Sequence, residues 1–138
     1  MSRADTEATL TNYYSAMKSG DRDAMREVVS ADIIVTYHDV IDILPWGGVW
    51  EGFEGFQDFL SVVADHLVIE SVVPRETFID GSTVIVVLEG KWLVRATGKR
   101  AKAVVVNIFT MAEGRIASYQ VFPDSAAFGI ALEHLNQN

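Results

Sequence analysis

The main change of periodicity in the sequence lies near Leu67, and this change constrains the fold more than any other feature. Before that point apolar residues recur at helical spacing, and beyond it β-branched runs alternate with turn signals as far as Phe122. Helices in one half of a chain and strands in the other are typical of an α+β fold. We therefore predict three helices packed on one face of a curved antiparallel sheet, which forms a conical barrel around a cavity, with a short C-terminal helix.

Three helices are expected in the first half of the chain. The first has apolar residues at i, i+3, i+4 and i+7, namely Leu10, Tyr13, Tyr14 and Met17. A short second helix follows Gly20, and Ser30–Asp32 is expected to break it. A strand over Ile33–Asp39 comes next, and after an irregular loop over Val40–Gly52 the third helix begins at Phe53.

The second half predicts strands joined by tight turns. Pro74 interrupts the first of them, whose second part either continues the strand or forms an edge. Gly90 lies in the middle of the next strand and predicts a bulge or bend. The predicted ranges are Val68–Val73 with Glu76–Ile79, Thr83–Ala96, Arg100–Met111 and Arg115–Phe122. Asp124 or Ser125 is expected to cap the final helix, Ala126–Leu135.

Composition limits the classes of function. The 138 residues, interpreted as a single domain over 1–138, carry 11 Lys and Arg against 19 Asp and Glu, a net charge of −8. Because such a surface repels phosphate backbones and anionic lipids, we expect no nucleic-acid or membrane partner. The absence of cysteine excludes thiolate metal sites and fits a cytoplasmic protein. The three histidines show no metal-site spacing and no nucleotide or flavin motif is found, so neither a metal nor a cofactor is expected.

Six segments, taken in order, form a recognisable pattern: Tyr13–Met17 leading into Gly20–Ala24, Val35–Asp39, Pro45–Gly52, Asp80–Gly81, Phe109–Ile116 and Asp124–Phe128. Together they resemble the nuclear transport factor 2-like superfamily, in particular its SnoaL-like branch of small polyketide cyclases. Ketosteroid isomerases and limonene epoxide hydrolases are related to this branch. The resemblance covers essentially the whole chain and implies a conical α+β barrel, usually dimeric, with an apolar pocket. It does not imply one reaction, because the fold carries several kinds of enzyme and non-catalytic proteins.

The resemblance also indicates where chemical groups of the relatives are missing. Many relatives carry a carboxylate on the last strand, where this chain has Val121. The base on the first strand of ketosteroid isomerases corresponds to Tyr37, and their hydrogen-bond-donating Asp corresponds to Asn107. Their oxyanion-hole tyrosine corresponds best to Tyr13. The resemblance therefore implies that hydrogen-bond donors are retained, while the strong bases have moved or are gone.

Tyr37, His38 and Asp39 form the densest cluster of candidate catalytic residues. Neighbouring strand residues point to opposite faces, so Tyr37 and Asp39 share a face and His38 does not. The resemblance favours Tyr37 and Asp39 pointing inward, where an apolar cavity would raise the pKa of Asp39 towards that of a useful base. Alternatively, Asp39 ends the strand and caps a turn, or a bulge shifts the register and His38 becomes the inward base.

Asn107 is the fourth candidate catalytic residue. It alternates in phase with apolar residues of its predicted strand, including Val105 and Phe109. A buried amide on an apolar face needs a hydrogen-bond partner. Asn107 therefore makes either a structural hydrogen bond to a neighbouring element or a hydrogen bond to a ligand carbonyl or developing oxyanion.

Aromatic side chains are the candidates for contact with a substrate. They are Tyr13, Tyr14, Trp46, Trp50, Trp92 and Tyr119. Trp92 alternates with apolar strand residues, so it is expected in the core or the pocket wall. Trp46 and Trp50 flank a glycine pair and form either a lid over an apolar ligand or a packed loop. Tyr14 and Tyr119 either line the cavity or belong to the core.

The sheet is expected to be apolar on the face away from the pocket as well. Val104, Val106 and Ile108 lie on that parity, together with Ile85 and Val87 of the preceding strand. A sheet face exposed to solvent normally carries polar residues. We therefore predict a homodimer in which a second copy covers this convex face.

Two functions are compatible with these features. The first is a cofactor-independent enzyme that uses acid/base chemistry to cyclise, isomerise or dehydrate a hydrophobic, oxygenated small molecule. In it Asp39 or His38 moves the proton, and Asn107 with a tyrosine holds the oxyanion. The second is a non-catalytic module that binds a hydrophobic ligand or dimerises, which Val121 in place of a carboxylate favours. A protein-transport role would need an exposed partner groove that the sequence does not indicate.

Overall fold

The computed structural model describes residues 2–135 as four helices and one six-stranded sheet. The helices are α1 (Arg3–Ser19), α2 (Arg22–Val28), α3 (Gly52–His66) and α4 (Ser125–Ala131). The strands are β1 (Val29–Tyr37), β2 (Gly48–Glu51), β3 (Leu67–Asp80), β4 (Thr83–Val94), β5 (Arg100–Ala112) and β6 (Arg115–Phe122). The predicted α+β fold is confirmed. Met1 and residues 136–138, which the predicted domain includes, lie outside the described residues.

The sheet is open and mixed, with the strand order β2-β1-β6-β5-β4-β3. Strands β3 to β6 form the predicted antiparallel meander. The expectation of a wholly antiparallel sheet is wrong at one pair, because β1 runs parallel to β6, with Tyr37 opposite Val121. A parallel pair needs a long connection between its strands, and here α3 and three strands of the meander lie between them.

The sequence prediction for the first half is wrong at the start of the first strand and in the loop that follows this strand. Strand β1 begins at Val29, so Ser30–Asp32 does not separate the second helix from the strand but belongs to the strand itself. Strand β2 forms inside the predicted loop and pairs with β1, with Trp50 opposite Val35. The start of β1 pairs with the distant strand β6, with Val29 opposite Ile116, and β2 pairs with β1. Local periodicity reports neither pairing.

Side chains supplied by the sequence cap three of the helices. Ser2 and Asp5 form a capping box at the start of α1. Asp21 caps α2, and Asp124 rather than Ser125 caps α4. The last helix ends at Ala131, four residues earlier than predicted. Among the described residues, no helix is both long and apolar enough to cross a bilayer.

An aromatic cluster joins α1 and α3 to the centre of the sheet. Tyr13 of α1 is fully buried and packs against Phe56 of α3, with 6.3 Å between the ring centroids. It also meets Phe109 and Tyr119 edge-on at 5.4 and 5.5 Å. Phe109 and Tyr119 are cross-strand neighbours whose rings stack at 5.0 Å. Contacts of this kind stabilise a fold beyond the area that they bury.

Gly90 has no side chain, and this leaves space for the ring of Trp92. The bulge predicted at this position does not form there. Gly90 pairs in regular register with Ala103 of β5 and Val72 of β3. A Cβ atom at this position would lie 2.2 Å from the Trp92 ring. Trp92 in turn packs against Phe128 of α4, with 5.0 Å between the ring centroids. The missing side chain at position 90 therefore lets the indole lie over the strand and contact α4.

Replacing Gly90 by alanine should destabilise the protein, because the new methyl group and the buried Trp92 ring cannot occupy the same space. We expect the Gly90→Ala variant to lose about 1–3 kcal/mol of unfolding free energy, measured by urea denaturation. Gly55→Ala is the matched control, since a Cβ there meets its nearest atom at 3.5 Å inside α3. That variant should be neutral or slightly more stable. Equal stability of the two variants would contradict the steric role of Gly90.

Candidate functional site

A cavity of about 500 Å³ lies between α1, α3 and one face of the sheet. Its volume falls within the range of about 300–1,000 Å³ that is usual for small-molecule sites. The inner face, as we call this side of the sheet, contributes Leu88, Trp92, Val105, Asn107, Tyr119 and Val121. Helix α1 adds Tyr14 and Met17, and α3 adds Gln57, Phe59 and Leu60. The cavity is therefore walled by both layers of the fold.

Aromatic rings form one side of the cavity wall. Phe128 of α4 packs against Trp92 and Trp46, with 5.0 and 5.9 Å between the ring centroids. Tyr37 meets Trp46 edge-on at 6.1 Å. All four side chains are buried and line the cavity. This side of the site can bind an apolar or aromatic body by contact alone.

Asn107 is the polar centre of the inner face. It is 2% exposed, and its Nδ2 donates a hydrogen bond of 2.8 Å to the hydroxyl oxygen of Tyr14. The hydroxyl of Tyr119 donates a longer hydrogen bond of 3.5 Å to Asn107 Oδ1. The two roles that the sequence left open for Asn107 are therefore compatible. It makes structural hydrogen bonds to neighbouring elements, and it also lines the cavity.

The Tyr14 hydroxyl can still donate a hydrogen bond to a ligand. Because the oxygen of Tyr14 accepts from Asn107, its own hydrogen is free to donate, and the residue lines the cavity. Burial raises the pKa of Tyr14 far above the usual value for a phenol, and the hydrogen bond from Asn107 offsets this only in part. Tyr14 is therefore a neutral donor at physiological pH.

Gln57 is a cavity residue that the sequence prediction missed. Its Nε2 is buried and has no hydrogen-bond partner among the described residues. It lies on α3 between Phe53 and Leu60, at the spacing that places all three on one side of the helix. A polar residue within an apolar helical stripe was the signal that could have identified it. An amide without a partner is costly, so a bound ligand that accepts its hydrogen bond would be favoured.

Asp39 does not point into the cavity, which was the first of the positions predicted for it. Strand β1 ends at Tyr37, and Asp39 is not among the residues that line the cavity. Its Oδ2 accepts a hydrogen bond of 2.7 Å from the backbone N–H of Leu44. Gly47 packs directly on its side chain, where a Cβ atom would come within 2.7 Å. Asp39 thus organises the loop that follows β1, which is the alternative that the sequence left open.

His38 lies on the opposite side of the sheet, which we call the outer face. Its Nε2 is 3.0 Å from Oε1 of Gln120, and its ring stacks on Phe122 with 4.2 Å between the centroids. The register of β1 on β6 is regular here, so no bulge turns His38 inward. Of the predicted triplet, only Tyr37 lines the cavity.

The predicted aromatic contacts divide into two groups. Tyr14, Trp46, Trp92 and Tyr119 line the cavity. Tyr13 does not line the cavity; it is fully buried, and its hydroxyl lies 3.9 Å from the sulfur of Met17. Trp50 does not either, since its Nε1 donates to the carbonyl of Trp46 at 3.1 Å. Trp46 in the loop and Trp50 on β2 therefore belong to one packed segment, in which Trp46 is the residue that lines the cavity.

Charged groups are nearly absent from the deep part of the cavity. Val121, at the position where relatives carry a carboxylate, is a buried wall residue. Within residues 2–135, Asp21 is the only carboxylate that lines the cavity, and it is exposed at the mouth. In the same part of the chain, no group of three or more His, Cys, Asp or Glu residues could hold a metal ion. The site is therefore built from neutral hydrogen-bonding groups in an apolar wall.

Comparison with known proteins gives a family match over most of the chain. Residues 10–119 match the SnoaL-like domain family. No curated protein matches the sequence. This match covers well over half of the chain, so the predicted membership of the SnoaL-like family is confirmed.

Several solved structures share the fold. An NTF2-like protein from Burkholderia xenovorans is 21% identical, with a TM-score of 0.85 over 95% of this chain and 98% of that chain. A proposed isomerase from Rhodopseudomonas palustris is 13% identical, with a TM-score of 0.80 over 91% and 96% of the two chains. A proposed SnoaL-like polyketide cyclase from Jannaschia is 19% identical, with a TM-score of 0.80 over 99% and 98%. At these identities the likeness establishes the fold alone.

The four tyrosines predict a pH limit to stability. Burial raises the pKa of Tyr13, Tyr14, Tyr37 and Tyr119 above the usual value of 10. The unfolded chain therefore releases these protons at a lower pH than the folded protein does. The tyrosines contribute fully to the free energy of unfolding below about pH 10. Above that pH this free energy falls by about 1.4 kcal/mol per pH unit for each tyrosine.

Ultraviolet absorbance of tyrosinate and circular dichroism, followed together above pH 10, measure this effect. We expect tyrosinate to form only as the protein unfolds, in one cooperative step. The Tyr14→Phe variant should show a shallower decline in unfolding free energy with pH. Gradual tyrosinate formation near pH 10 in a protein that remains folded would contradict the burial of these groups.

Proposed function

Because this chain belongs to the SnoaL-like domain family, we propose that it binds a hydrophobic small molecule with a carbonyl group and polarises that carbonyl for cofactor-independent chemistry. The observation that carries the proposal is the Asn107–Tyr14 hydrogen bond of 2.8 Å at the wall of an otherwise apolar cavity. Cyclisation and isomerisation redistribute bonds within one substrate, and dehydration releases water. None of these reactions transfers electrons to a partner, so none requires a redox cofactor.

Tyr14 is the proposed donor to the carbonyl oxygen. Its proton is free because Asn107 donates to its oxygen, and this polarisation strengthens the hydrogen bond that Tyr14 itself gives. When a proton leaves the carbon next to a carbonyl, negative charge develops on the carbonyl oxygen. A fixed donor in a water-poor site stabilises that charge, and one such donor contributes about 10²–10³-fold to the rate in well-studied enzymes.

Gln57 is the proposed second donor. Its Nε2 is buried without a partner among the described residues, and the side chain lines the cavity from α3. A ligand oxygen that accepted from Gln57 would satisfy this amide, which contributes to selectivity for carbonyl compounds over hydrocarbons of the same shape. Two donors from two different helices would also orient the ligand.

The substrate is restricted by the absence of a strong base in the deep wall. Asp39 is engaged by Leu44, and His38 lies on the outer face. We therefore propose a substrate with an acidified C–H, such as one between two carbonyl groups, whose proton water can accept once the carbonyl is polarised. A catalytic role for Asp39 or His38 would require the loop or the strand register to change.

A non-catalytic binding module is the second candidate. Val121 at the place of the relatives' carboxylate, and the engagement of Asp39 in its loop, favour this alternative. Both candidates use the same cavity and the same donors. They differ only in whether a bound carbonyl compound is converted.

Removal of the Tyr14 hydroxyl should weaken binding of carbonyl ligands. We expect Tyr14→Phe to raise the Kd for lipophilic diketones and quinones about three- to tenfold, because one neutral hydrogen bond is lost. Tyr13→Phe is the matched control, since its hydroxyl does not line the cavity. Quenching of tryptophan fluorescence measures binding, because Trp46 and Trp92 form part of the wall.

Product analysis by mass spectrometry separates the two candidates. Conversion of a bound diketone by the native protein, reduced by Tyr14→Phe but not by Tyr13→Phe, supports the enzyme. Binding of the diketones and quinones without conversion of any of them supports the binding module. If the Tyr14→Phe and Tyr13→Phe variants bound these compounds equally well, Tyr14 would not be the donor to the carbonyl oxygen.

We also propose that the protein forms a homodimer through the outer face of the sheet and resides in the cytoplasm. The outer face carries exposed apolar side chains on three strands, Ile34, Val104 and Phe122. Half-buried Val106 and Ile108 continue this apolar surface along β5. Exposed apolar side chains gathered on one face of a domain often mark an interaction site. The cytoplasmic location is a prediction from the absence of cysteine.

A charge placed on the outer face should separate the dimer. We expect light scattering to give twice the mass of one chain for the native protein at micromolar concentration and the mass of one chain for Val104→Glu. Val40→Glu is the matched control, since Val40 is 98% exposed in the loop after β1. This variant should remain dimeric. A native protein that is monomeric at this concentration would refute the proposal.

A further inference from the structure

Charge is distributed unevenly between the cavity and the rest of the chain. Among the eleven Lys and Arg residues, Lys18, Arg22 and Arg95 line the cavity, whereas Asp21 is the one residue among the nineteen Asp and Glu that does so in residues 2–135. All four are exposed and therefore lie at the mouth, not in the deep wall. A protein with a net charge of −8 thus has a cavity mouth of the opposite sign.

Two of these four charges are already engaged. Asp21 Oδ1 accepts a hydrogen bond of 3.0 Å from the backbone N–H of Ala24, which caps α2. The guanidinium of Arg22 pairs with Glu54 and lies 5.2 Å from the centre of the Phe53 ring. Neither group is therefore free to meet a ligand without breaking an existing contact.

The other two charges, Lys18 and Arg95, have no carboxylate within 4 Å in the part of the chain that the structure describes. Lys18 lies in the last turn of α1. Arg95 is anchored to the end of α3, because its backbone N–H donates to His66 and its Nε donates to the carbonyl of Ala64, both at 2.9 Å. This anchoring leaves both Nη groups of Arg95 without a partner among the described residues.

We propose that Lys18 and Arg95 bind the carboxylate of an amphipathic ligand whose apolar body fills the cavity. This inference rests on the proposed function and names its ligand class as lipophilic keto acids. A carboxylate at the mouth stays close to water, so its desolvation cost is small, and a fixed guanidinium can donate two hydrogen bonds to it. The apolar body then lies between Trp46, Trp92 and Phe128, and the ketone is directed towards Tyr14 and Gln57.

The two cations also give the ligand an entry route. The exposed carboxylates elsewhere on the chain repel an anion, whereas the mouth attracts it, and this contrast directs an acidic ligand to the cavity. Steering of this kind weakens as salt screens the charges. Neutral ligands of the same shape gain nothing from it.

The test compares naphthoylpropionic acid with its methyl ester, which share the aromatic body and the ketone and differ in charge. Titration calorimetry should show that the native protein binds the acid about three- to tenfold more tightly than the ester, with a preference that declines as salt is raised. The double variant Lys18→Gln, Arg95→Gln should bind the two equally. Lys18→Gln alone, which leaves the anchor of Arg95 intact, should lose part of the preference.

A matched control removes the same net charge elsewhere. Lys91 and Lys102 are cross-strand neighbours that do not line the cavity. The double variant Lys91→Gln, Lys102→Gln should keep the preference for the acid. Equal binding of acid and ester by the native protein, or an equal loss of preference in both double variants, would overturn the inference and leave the proposed function standing. Failure of the native protein to bind either compound would overturn the ligand class inferred here, and failure to bind the diketones and quinones as well would overturn the proposed function.

Discussion

The buried amide of Asn107 needs hydrogen-bond partners, and its bond to Tyr14 links the sheet to the helical layer of this protein. The residue lies in the middle of β5 on an apolar sheet face, where an amide without a partner would be costly. Tyr14 satisfies it from α1 and Tyr119 from β6, so the same bonds that satisfy the amide hold the helix at a defined distance from the sheet. This link spans the two layers at the wall of the cavity, where most of the neighbouring side chains are apolar.

The interior of the protein carries neutral hydrogen-bonding groups, whereas its charged groups lie on the surface. The four tyrosines, Asn107 and Gln57 provide hydrogen-bonding groups without charge, and burial raises the pKa of each tyrosine further above the usual value of 10. The excess of carboxylates that gives the net charge of −8 lies on exposed surfaces. A site of this kind stabilises developing charge on a ligand oxygen but does not supply a fixed anion to abstract a proton.

Much of the fold could be predicted from the sequence, because helical and strand periodicity are local. The three helices and the meander follow from this periodicity, as does the parity that places Asn107 with Val105 and Phe109. The position of Asp39 could not be predicted, since it depends on whether the strand ends before it and on a backbone N–H five residues away. Gln57 was missed because its significance lies in the lack of a partner, which only tertiary packing reveals. The parallel pairing of β1 with β6 likewise depends on residues about eighty positions apart.

That parallel pairing has a consequence for how the chain acquires its structure during synthesis. Strand β6 lies between β1 and β5, so it joins the strands of the first half of the chain to the meander. Until β6 has left the ribosome, β1 has only the four-residue strand β2 as a neighbour, and the helices have no complete sheet to cover. Closing a connection of this length is entropically slow. The apolar helix faces in the first half of the nascent chain therefore lack the sheet that covers them until late in synthesis.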